Sequence, residues 1–123
     1  MSPLRGIKVL DLSRLLPGPY ATQLLVDLGA TVTKIENSQT GGDPLRYYAP
    51  ICSDGNGAMF HAVNRGKNSV ALPFRGPGSD TTRAEIQCLM SDADVVVESF
   101  RPGTFERLIG MSTGDLLLSL IHI

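Results

Sequence analysis

The alternation of apolar and polar residues predicts a strand, a helix and a second strand at the start of the chain. Residues 7–13, IKVLDLS, have the aliphatic composition of a strand, which is broken by two prolines around Gly18. A helix follows, with Pro19 in its first turn and Gly29 as its stop. Its buried face is predicted from apolar residues at helical spacing: Ala21, Leu24, Leu25 and Leu28. Residues 30–36, ATVTKIE, complete a β-α-β unit, for which parallel pairing is expected.

The next segment has few apolar residues and no regular spacing. Residues 37–57 contain four glycines and two prolines, which indicates a long loop, and loops of this length are commonly functional. Residues 58–66 predict a short helix that ends at Gly66, and residues 68–74, NSVALPF, predict a third strand.

A further helix and strand are predicted before residue 100. The helix is expected near residues 82–91, where Thr82 and Glu85 have the spacing of a capping box. Its core face is predicted to consist of Ile86, Leu89 and Met90. Residues 92–103, DADVVVESFRPG, begin with valines typical of a buried parallel strand and then turn polar. Because ligands bind at the carboxyl ends of strands in α/β sheets, the residues after this strand are a candidate site.

Composition and charge narrow the possible functions. The 123 residues are 42% hydrophobic, which allows the packed core of a single domain. With 11 basic and 12 acidic residues the net charge is -1, so no general attraction to nucleic acid or to anionic membranes is expected. No apolar run approaches the about 20 residues of a membrane helix, and the start lacks the apolar core of a signal peptide. We therefore expect a cytoplasmic protein.

The cysteines and the histidine of the predicted short helix do not indicate a metal site. Cys52 and Cys88 have neither CxxC spacing nor histidine neighbours, so two reduced thiols are expected rather than metal ligands or a disulfide. His61 lies in an apolar, helix-like stretch and is interpreted as structural.

The β-α-β unit raises the possibility of a dinucleotide site. Glu36 ends the second strand 18 residues after Gly18, where such sites have a ribose-binding acid. The loop between them, LLPGPYA, has one glycine and two prolines, and proline has no N–H to donate to a pyrophosphate. The loop therefore argues against NAD binding, and the P-loop pattern is absent as well.

Basic residues recur at the predicted strand ends and turns. Arg46 and Arg65 are interpreted as solvated surface charges. Lys67 and Arg101 are better candidates for contacts with a phosphate or carboxylate, since both are expected in loops beside the sheet edge. The proline after Arg101 also lowers the cost of ordering it. Phe100 either packs in the core or offers a flat apolar surface to an adenine ring.

Four motifs in order give the chain a family resemblance. They are LRGIKVLDLSRLLPGPYATQLLVDLGATVTKIE, GGDPLRYYAP, FHAVNRGKNSVAL and DADVVVESFRPGTFERLIG, and the match spans roughly residues 3–117. Together they resemble the amino-terminal portion of the class III CoA-transferase family (CaiB/BaiF type), which includes formyl-CoA transferase, carnitine CoA-transferase and alpha-methylacyl-CoA racemase. The resemblance implies an α/β fold in which this chain is an incomplete amino-terminal part of a large domain. That domain has a Rossmann-like parallel sheet with helices on both faces.

The resemblance also implies ligands and partners. Coenzyme A or an acyl-CoA is expected as a substrate, together with a carboxylic acid, and no tightly bound cofactor is expected. The longer parent protein is expected to form an interlocked homodimer.

A CoA site is implied for the residues that match the family motifs. The loop after the first strand, which in the family runs along the CoA and the catalytic site, corresponds to Leu15, Leu16 and Pro17. Lys67 matches the lysine of the family's NKRS-like turn. The positions that line the CoA pocket correspond to Ser99, Phe100, Arg101 and Arg107. Phe100 and Arg101 are expected against the nucleotide or the pantetheine, and Arg107 near a phosphate.

The sequence departs from the family pattern in several places. Asn37 and Asn68 stand where family members often have arginine, which weakens any phosphate contact there. The connector at residues 73–83, PFRGPGSDTTR, is longer than expected.

No residue of the chain is assigned as catalytic or metal-binding. Transferases of the family use an aspartate that attacks the acyl-CoA, and the racemases use a His and Asp pair. The matching positions lie beyond residue 123, so we expect a CoA-binding fragment of a CoA-transferase that is inactive alone. A fragment of an alpha-methylacyl-CoA racemase is one alternative, and a free-standing CoA- or nucleotide-binding module is the other.

The last six residues are expected to be foreign to the protein. Residues 118–123, LSLIHI, correspond to the translation of CTGTCTCTTATACACATC, which resembles a transposon-end adapter used to prepare sequencing libraries. We therefore expect residues 1–117 to form the amino-terminal part of a CoA-binding domain, and His122 to have no functional role. The alternative is that the apolar LLLSLIHI begins a genuine strand.

Overall fold

The computed structural model describes residues 2–112, 114–115 and 121–122. The strands are β1 Lys8–Leu12, β2 Thr31–Asn37, β3 Asn68–Leu72, β4 Val95–Glu98 and β5 Ile121–His122. The α-helices are α1 Pro17–Asp27, α2 Ala58–Asn64, α3 Ser79–Ser91 and α4 Thr104–Ile109. Two short 3-10 turns, Ser38–Thr40 and Pro44–Tyr47, lie in the predicted long loop.

The strands form one parallel sheet in the order β3-β2-β1-β4-β5. The central strand β1 pairs with both neighbours, so that Val9 lies opposite Val32 of β2 and Val95 of β4. Three apolar strands next to one another are typical of a parallel sheet buried on both faces. The predicted α/β fold, a Rossmann-like parallel sheet with helices on both faces, is confirmed.

Two apolar clusters lie on opposite faces of this sheet. Alternate residues of a strand point to opposite faces, so Val9 packs on the side of α1 and Leu10 on the side of α3 and α4. In β4, Val96 is fully buried in the α3/α4 cluster, whereas Val97 belongs to the α1 cluster. The carboxyl ends of β1, β2 and β4 are therefore fixed by packing on both faces of the sheet.

The buried face of α1 differs from the predicted one. Leu24 and Leu28 are each 45% exposed, while Thr22 and Gln23 are buried. The reason is that this helix crosses the polar ends of β1 and β2, and the Thr22 hydroxyl donates a hydrogen bond of 2.6 Å to Asp11 Oδ2. The prediction from apolar spacing was therefore wrong for Ala21, Leu24 and Leu28, whereas Leu25 packs against the apolar cluster on the α1 side as predicted.

The start of α3 also differs from the predicted capping box. The helix begins at Ser79, three residues earlier than expected, and Thr82 is buried. The Thr82 hydroxyl donates to the Pro73 carbonyl at 2.6 Å and so ties the helix to the connector before it. Ile86 and Met90 are buried as predicted.

The far edge of the sheet includes part of the segment expected to be foreign. Ile121 pairs with Val95 and His122 with Val96 of β4. Residues 118–120 and 123 lie outside the described residues. The expected boundary near Leu117 stays a prediction.

Candidate functional site

A cleft of about 910 Å³ lies at the carboxyl edge of the sheet. The ends of β1 and β2 contribute Leu12 and Ile35 to its lining, and the segments after β3 and β4 contribute Phe74 and Ser99. Ligand sites of open parallel sheets lie at this edge, because loops from several strands converge there.

Four arginines line the cleft: Arg14, Arg75, Arg101 and Arg107. All four are exposed. Within the described part of the chain, the guanidinium groups of Arg14, Arg75 and Arg101 have neither a hydrogen bond nor an ion pair. Arg107 makes a hydrogen bond of 3.3 Å to the Thr104 hydroxyl. These cations are therefore available to an anion.

The acidic residues that also line the cleft are already neutralised. Asp43 Oδ2 lies 2.9 Å from the Lys34 ammonium, and both side chains are almost completely buried. Glu36 Oε2 lies 2.6 Å from the Arg46 guanidinium. The cleft lining thus has a positive balance of charge, which favours a ligand with several phosphates or carboxylates.

Two phenylalanines, Phe74 and Phe100, line the cleft together with the arginines. The Phe74 and Phe100 rings meet edge to face, with centroids 6.2 Å apart and an interplanar angle of 66°. Phe100 also stacks on the buried Phe105, at 6.3 Å and 8°. Phe100 packs against the core and also lines the cleft, and its contact with an adenine ring stays a prediction.

The loop between β1 and α1 is held in an unusual conformation. Leu15 has φ of 66°, a left-handed value that is uncommon for a residue other than glycine. Its N–H donates to Asp43 Oδ1 at 3.1 Å, which helps to fix it. A Cβ at Gly18 would lie 2.2 Å from the Ser13 Cβ, so the loop requires glycine there.

The first turn of α1 is a poor site for phosphate. Pro17 and Pro19 have no N–H, and the N–H of Tyr20 already donates to the Leu16 carbonyl at 2.8 Å. A dinucleotide site uses these donors for the pyrophosphate, so an anion must be bound here by side chains instead.

Lys67 lies next to the start of α1 and does not belong to the cleft lining. Its ammonium donates to Asp11 Oδ2 at 3.1 Å, to the Pro19 carbonyl at 3.1 Å and to Asn64 Oδ1 at 2.9 Å. The side chain is 1% exposed. Burial lowers the pKa of Lys67, and the Asp11 carboxylate partly offsets that effect. All three ammonium hydrogens have partners inside the protein, so the geometry favours a positioning role over a contact with CoA.

A second buried lysine joins the same loop to the long loop after β2. Besides its ion pair with Asp43, Lys34 donates to the Ser13 carbonyl at 2.9 Å. Asp43 in turn accepts from Leu15 N–H at 3.1 Å and from Leu45 N–H at 3.0 Å. One buried ion pair therefore sets the relative position of two loops at the sheet edge.

Glu36 is held by groups of the protein on both carboxylate oxygens. Arg46 binds it through two hydrogen bonds of 2.8 and 2.6 Å, and Asp43 N–H and the Ser69 hydroxyl each donate at 2.7 Å. Burial disfavours its charged form, but these hydrogen bonds outweigh burial and lower the pKa of Glu36 to about 2. Glu36 is not placed to bind a ribose, and Arg46 is a structural cation rather than a solvated surface charge.

The residues predicted from the sequence fall into two groups. Those after β4 come together in the cleft: Ser99, Phe100, Arg101 and Arg107. The loop residues Leu15, Leu16 and Pro17 lie next to Ser13 and Arg14 of the lining but do not belong to it. The sequence prediction missed Arg14, Phe74 and Arg75, which line the cleft because they directly follow strands β1 and β3.

The comparison with protein families identifies the chain. The model of CoA-transferase family III matches residues 4–116. The chain belongs to CoA-transferase family III. The resemblance found in the sequence motifs is thereby confirmed.

Relatives in this family are named as CoA-transferases. The chain is 45% identical over 111 residues to succinyl-CoA:mesaconate CoA-transferase of Haloarcula hispanica, a match that covers 87% of this chain and 27% of that protein. It is 38% identical to the human succinyl-CoA:glutarate CoA-transferase, over 94% of this chain and 25% of that one. The chain thus spans about a quarter of the length of these relatives.

A solved structure shows the same fold. The crystal structure of a CAIB/BAIF family protein from Brucella suis superposes with a TM-score of 0.80 at 39% identity. The match covers 98% of this chain and 32% of that one. The described part of this family III chain has no helix long and apolar enough to cross a membrane. It also has no group of three or more metal-ligating side chains.

Proposed function

We propose that this chain is the CoA-binding part of an enzyme that moves CoA between a carboxylic acid and an acyl-CoA. The observation that supports this most strongly is the cleft at the carboxyl edge of the sheet. It combines four exposed arginines with a pair of aromatic rings. CoA has a matching distribution of groups, since its diphosphate and 3′-phosphate are anionic and its adenine has a flat aromatic face.

The arrangement of the arginines suggests where the diphosphate binds. Arg14 follows β1, and Arg101 and Arg107 follow β4, which is the neighbouring strand. The Arg14 N–H donates to the Ser99 hydroxyl at 3.2 Å, which joins the two segments. These three guanidinium groups can form charge-assisted hydrogen bonds with diphosphate oxygens.

The β1–α1 loop supports a path for the pantetheine arm. Leu16 is 43% exposed, and Leu15 and Pro17 flank it. An apolar loop next to Arg14 suits the aliphatic part of the arm, while the diphosphate stays with the arginines. In this proposal Lys67 acts through the loop that it supports, because its ammonium is enclosed by three oxygen acceptors.

Titration calorimetry with CoA tests the proposed site. Arg101→Ala is expected to weaken binding by about 1 to 3 kcal/mol, the range for a charge-assisted hydrogen bond. The matched control is Arg5→Ala, since Arg5 is also exposed but precedes β1 at the opposite edge of the sheet. Equal CoA affinity of the wild type and Arg101→Ala would remove Arg101 from the site.

The reaction of the longer protein is proposed as CoA transfer through a carboxylate nucleophile, and no residue of this chain is assigned that role. A covalent intermediate divides one acyl transfer into two easier steps. The names of the relatives support transfer over epimerisation of a 2-methylacyl-CoA. Incubation of the longer protein with an acyl-CoA and a free acid in deuterated water separates the two reactions. Deuterium at the alpha carbon without CoA exchange would contradict the transferase proposal.

We also propose an interlocked homodimer for the longer protein, which the family resemblance supports, and a cytoplasmic location. Light scattering after size exclusion checks the first proposal and cell fractionation the second. A free-standing binding module is the remaining alternative, and it predicts CoA binding in the cell without any CoA-transferase joined to this chain.

A further inference from the structure

Helix α4 forms part of the wall of the cleft. Thr104, Arg107 and Leu108 of this helix belong to the cleft lining. The helix has only six residues, and a helix of this length is unstable on its own. Its buried side chains, Phe105 and Ile109, pack in the α3/α4 cluster. The place of Arg107 at the cleft therefore depends on the contacts that hold α4.

The last turn of α4 is held by two side chains of α3. The Arg83 guanidinium donates to the Arg107 carbonyl at 3.1 Å and to the Leu108 carbonyl at 3.3 Å. The side-chain nitrogen of Gln87 donates to the Ile109 carbonyl. The last carbonyls of a helix have no donor within the helix, so these hydrogen bonds satisfy them. Two of the three acceptors belong to residues that line the cleft.

The Arg83 side chain also lies against Gly110, the residue that ends α4. Gly110 has φ of 70°, and a Cβ there would lie 3.3 Å from both Cδ and Nε of Arg83. Glycine thus permits the left-handed end of the helix and the close approach of the arginine. A cation at the C-terminus of a helix also interacts favourably with the helix dipole. The contact between α3 and the end of α4 therefore depends on residues of both helices.

The guanidinium of Arg107 lies at the opposite end of the same helix. One of its nitrogens donates to the Thr104 hydroxyl at 3.3 Å, and a Cβ at Gly103 would lie 3.1 Å from another, Nη1. Gly103 ends the turn that follows β4, residues 99–103. Arg107 thus has its carbonyl held by Arg83 and its side chain beside the turn at the carboxyl end of β4.

We infer that Arg83 is a positioning residue of the CoA site, which holds Arg107 at the cleft through the last turn of α4. This inference rests on the proposed CoA site. Arg83 does not itself belong to the cleft lining, so its effect on a ligand is transmitted by Arg107.

Titration calorimetry of the 123-residue chain with CoA tests the inference. Arg83→Met removes the guanidinium donors and keeps an unbranched apolar side chain, and it is expected to weaken CoA binding by about fivefold. Arg83→Lys keeps the charge and one donor group, so its affinity is expected to lie between those of Arg83→Met and the wild type. Glu85→Ala, at an exposed position of the same helix, is the matched control and is expected to leave the affinity unchanged.

A double-mutant cycle shows whether Arg83 acts through Arg107. In the Arg107→Ala background, Arg83→Met is expected to have no further effect on CoA affinity. In the Arg14→Ala background it is expected to keep its full effect, because Arg14 follows β1 and is not part of α4. A general loss of structure, or a long-range effect of the missing charge, would instead weaken binding in both backgrounds. The thermal midpoint of each variant measures loss of structure separately.

The outcomes separate this inference from the proposed function. Unchanged CoA affinity in Arg83→Met, or the same loss in the Arg107→Ala and Arg14→Ala backgrounds, overturns the role of Arg83 and leaves the CoA site standing. If Arg83→Met is unfolded by circular dichroism, Arg83→Lys takes its place in the cycle with the same criteria. No binding of CoA to a folded wild type overturns both the inference and the CoA site.

Discussion

Two sets of charged residues at the carboxyl edge of the sheet are arranged differently. On the α1 side, three cations and three carboxylates are paired with one another: Lys34 with Asp43, Arg46 with Glu36, and Lys67 with Asp11. In the cleft, the guanidinium groups of Arg14, Arg75 and Arg101 have neither a hydrogen bond nor an ion pair within the described ranges. The first group, which we call the paired set, is neutral and largely buried. The second group, which we call the unpaired set, is exposed and positive.

This difference predicts whether each set contributes to folding or to binding. A buried ion pair is costly to break, because removal of one partner leaves an unpaired charge inside the protein. An exposed arginine without a partner contributes little to stability, since water solvates it well. We therefore expect that changes in the paired set affect folding, and that changes in the unpaired set affect binding.

The largest effect is expected from the removal of one carboxylate of the paired set. Asp43→Ala leaves Lys34 buried without its counter-ion and frees the Leu15 N–H, which is expected to cost about 3 to 5 kcal/mol of unfolding free energy. Urea denaturation of the wild type and the variant measures this loss of unfolding free energy. Asp92→Ala, which breaks the exposed pair with Lys8, is the control and is expected to leave the unfolding midpoint nearly unchanged. Similar midpoints for both variants would contradict the comparison.

The acid sensitivity of folding is expected to depend on Glu36. Its pKa in the folded protein is lowered to about 2, so the carboxylate stabilises the fold fully above its unfolded pKa near 4.5. As the pH falls from there towards 2, about 3 kcal/mol of unfolding free energy is lost. Denaturation curves across this range measure the loss. Glu36→Gln cannot ionise and is expected to lack this component, whereas an unchanged acid profile in that variant would assign the sensitivity elsewhere.

The converse effect is expected at Arg14 of the unpaired set. Arg14→Ala is expected to weaken CoA binding by about 1 to 2 kcal/mol, because one guanidinium contact with a phosphate is lost. Its unfolding midpoint is expected to match that of the wild type, since the side chain is exposed and makes no hydrogen bond to any described residue. Calorimetry and urea denaturation on the same sample check both parts. A stability loss comparable to that of Asp43→Ala would remove the distinction between the two sets.

The sequence predicted those features of the fold that depend on local pattern. β1, β2 and β4 are apolar runs bounded by glycine, proline or polar residues, so their existence followed from composition alone. The buried face of α1 did not follow from the sequence pattern, because Leu24 and Leu28 have the same spacing whether they face the core or the solvent. Only the position of the helix over polar strand ends decides between these two orientations.

The same limit applies to the site. Ser99 to Arg101 could be predicted because they directly follow a buried strand. The hydrogen bond between the Gln39 side chain and the Arg75 carbonyl could not be predicted, since the two residues are 36 apart in the sequence and meet only in the folded chain. Lys67 was expected to contact a phosphate or carboxylate, but its pairing with Asp11, 56 residues away, directs its ammonium into the protein.

The smallest expected effect is a difference in salt dependence between the two sets. Exposed charges are screened when the Debye length falls from roughly 30 Å at 0.01 M to roughly 3 Å at 1 M ionic strength, whereas buried pairs are screened much less. CoA affinity is therefore expected to fall by roughly threefold or more across this range of sodium chloride, since its phosphates meet exposed guanidinium groups. The wild-type unfolding free energy attributable to Asp43, measured against Asp43→Ala at each salt concentration, is expected to stay constant. A CoA affinity that does not respond to salt would show that the cleft arginines are not the groups that bind its phosphates.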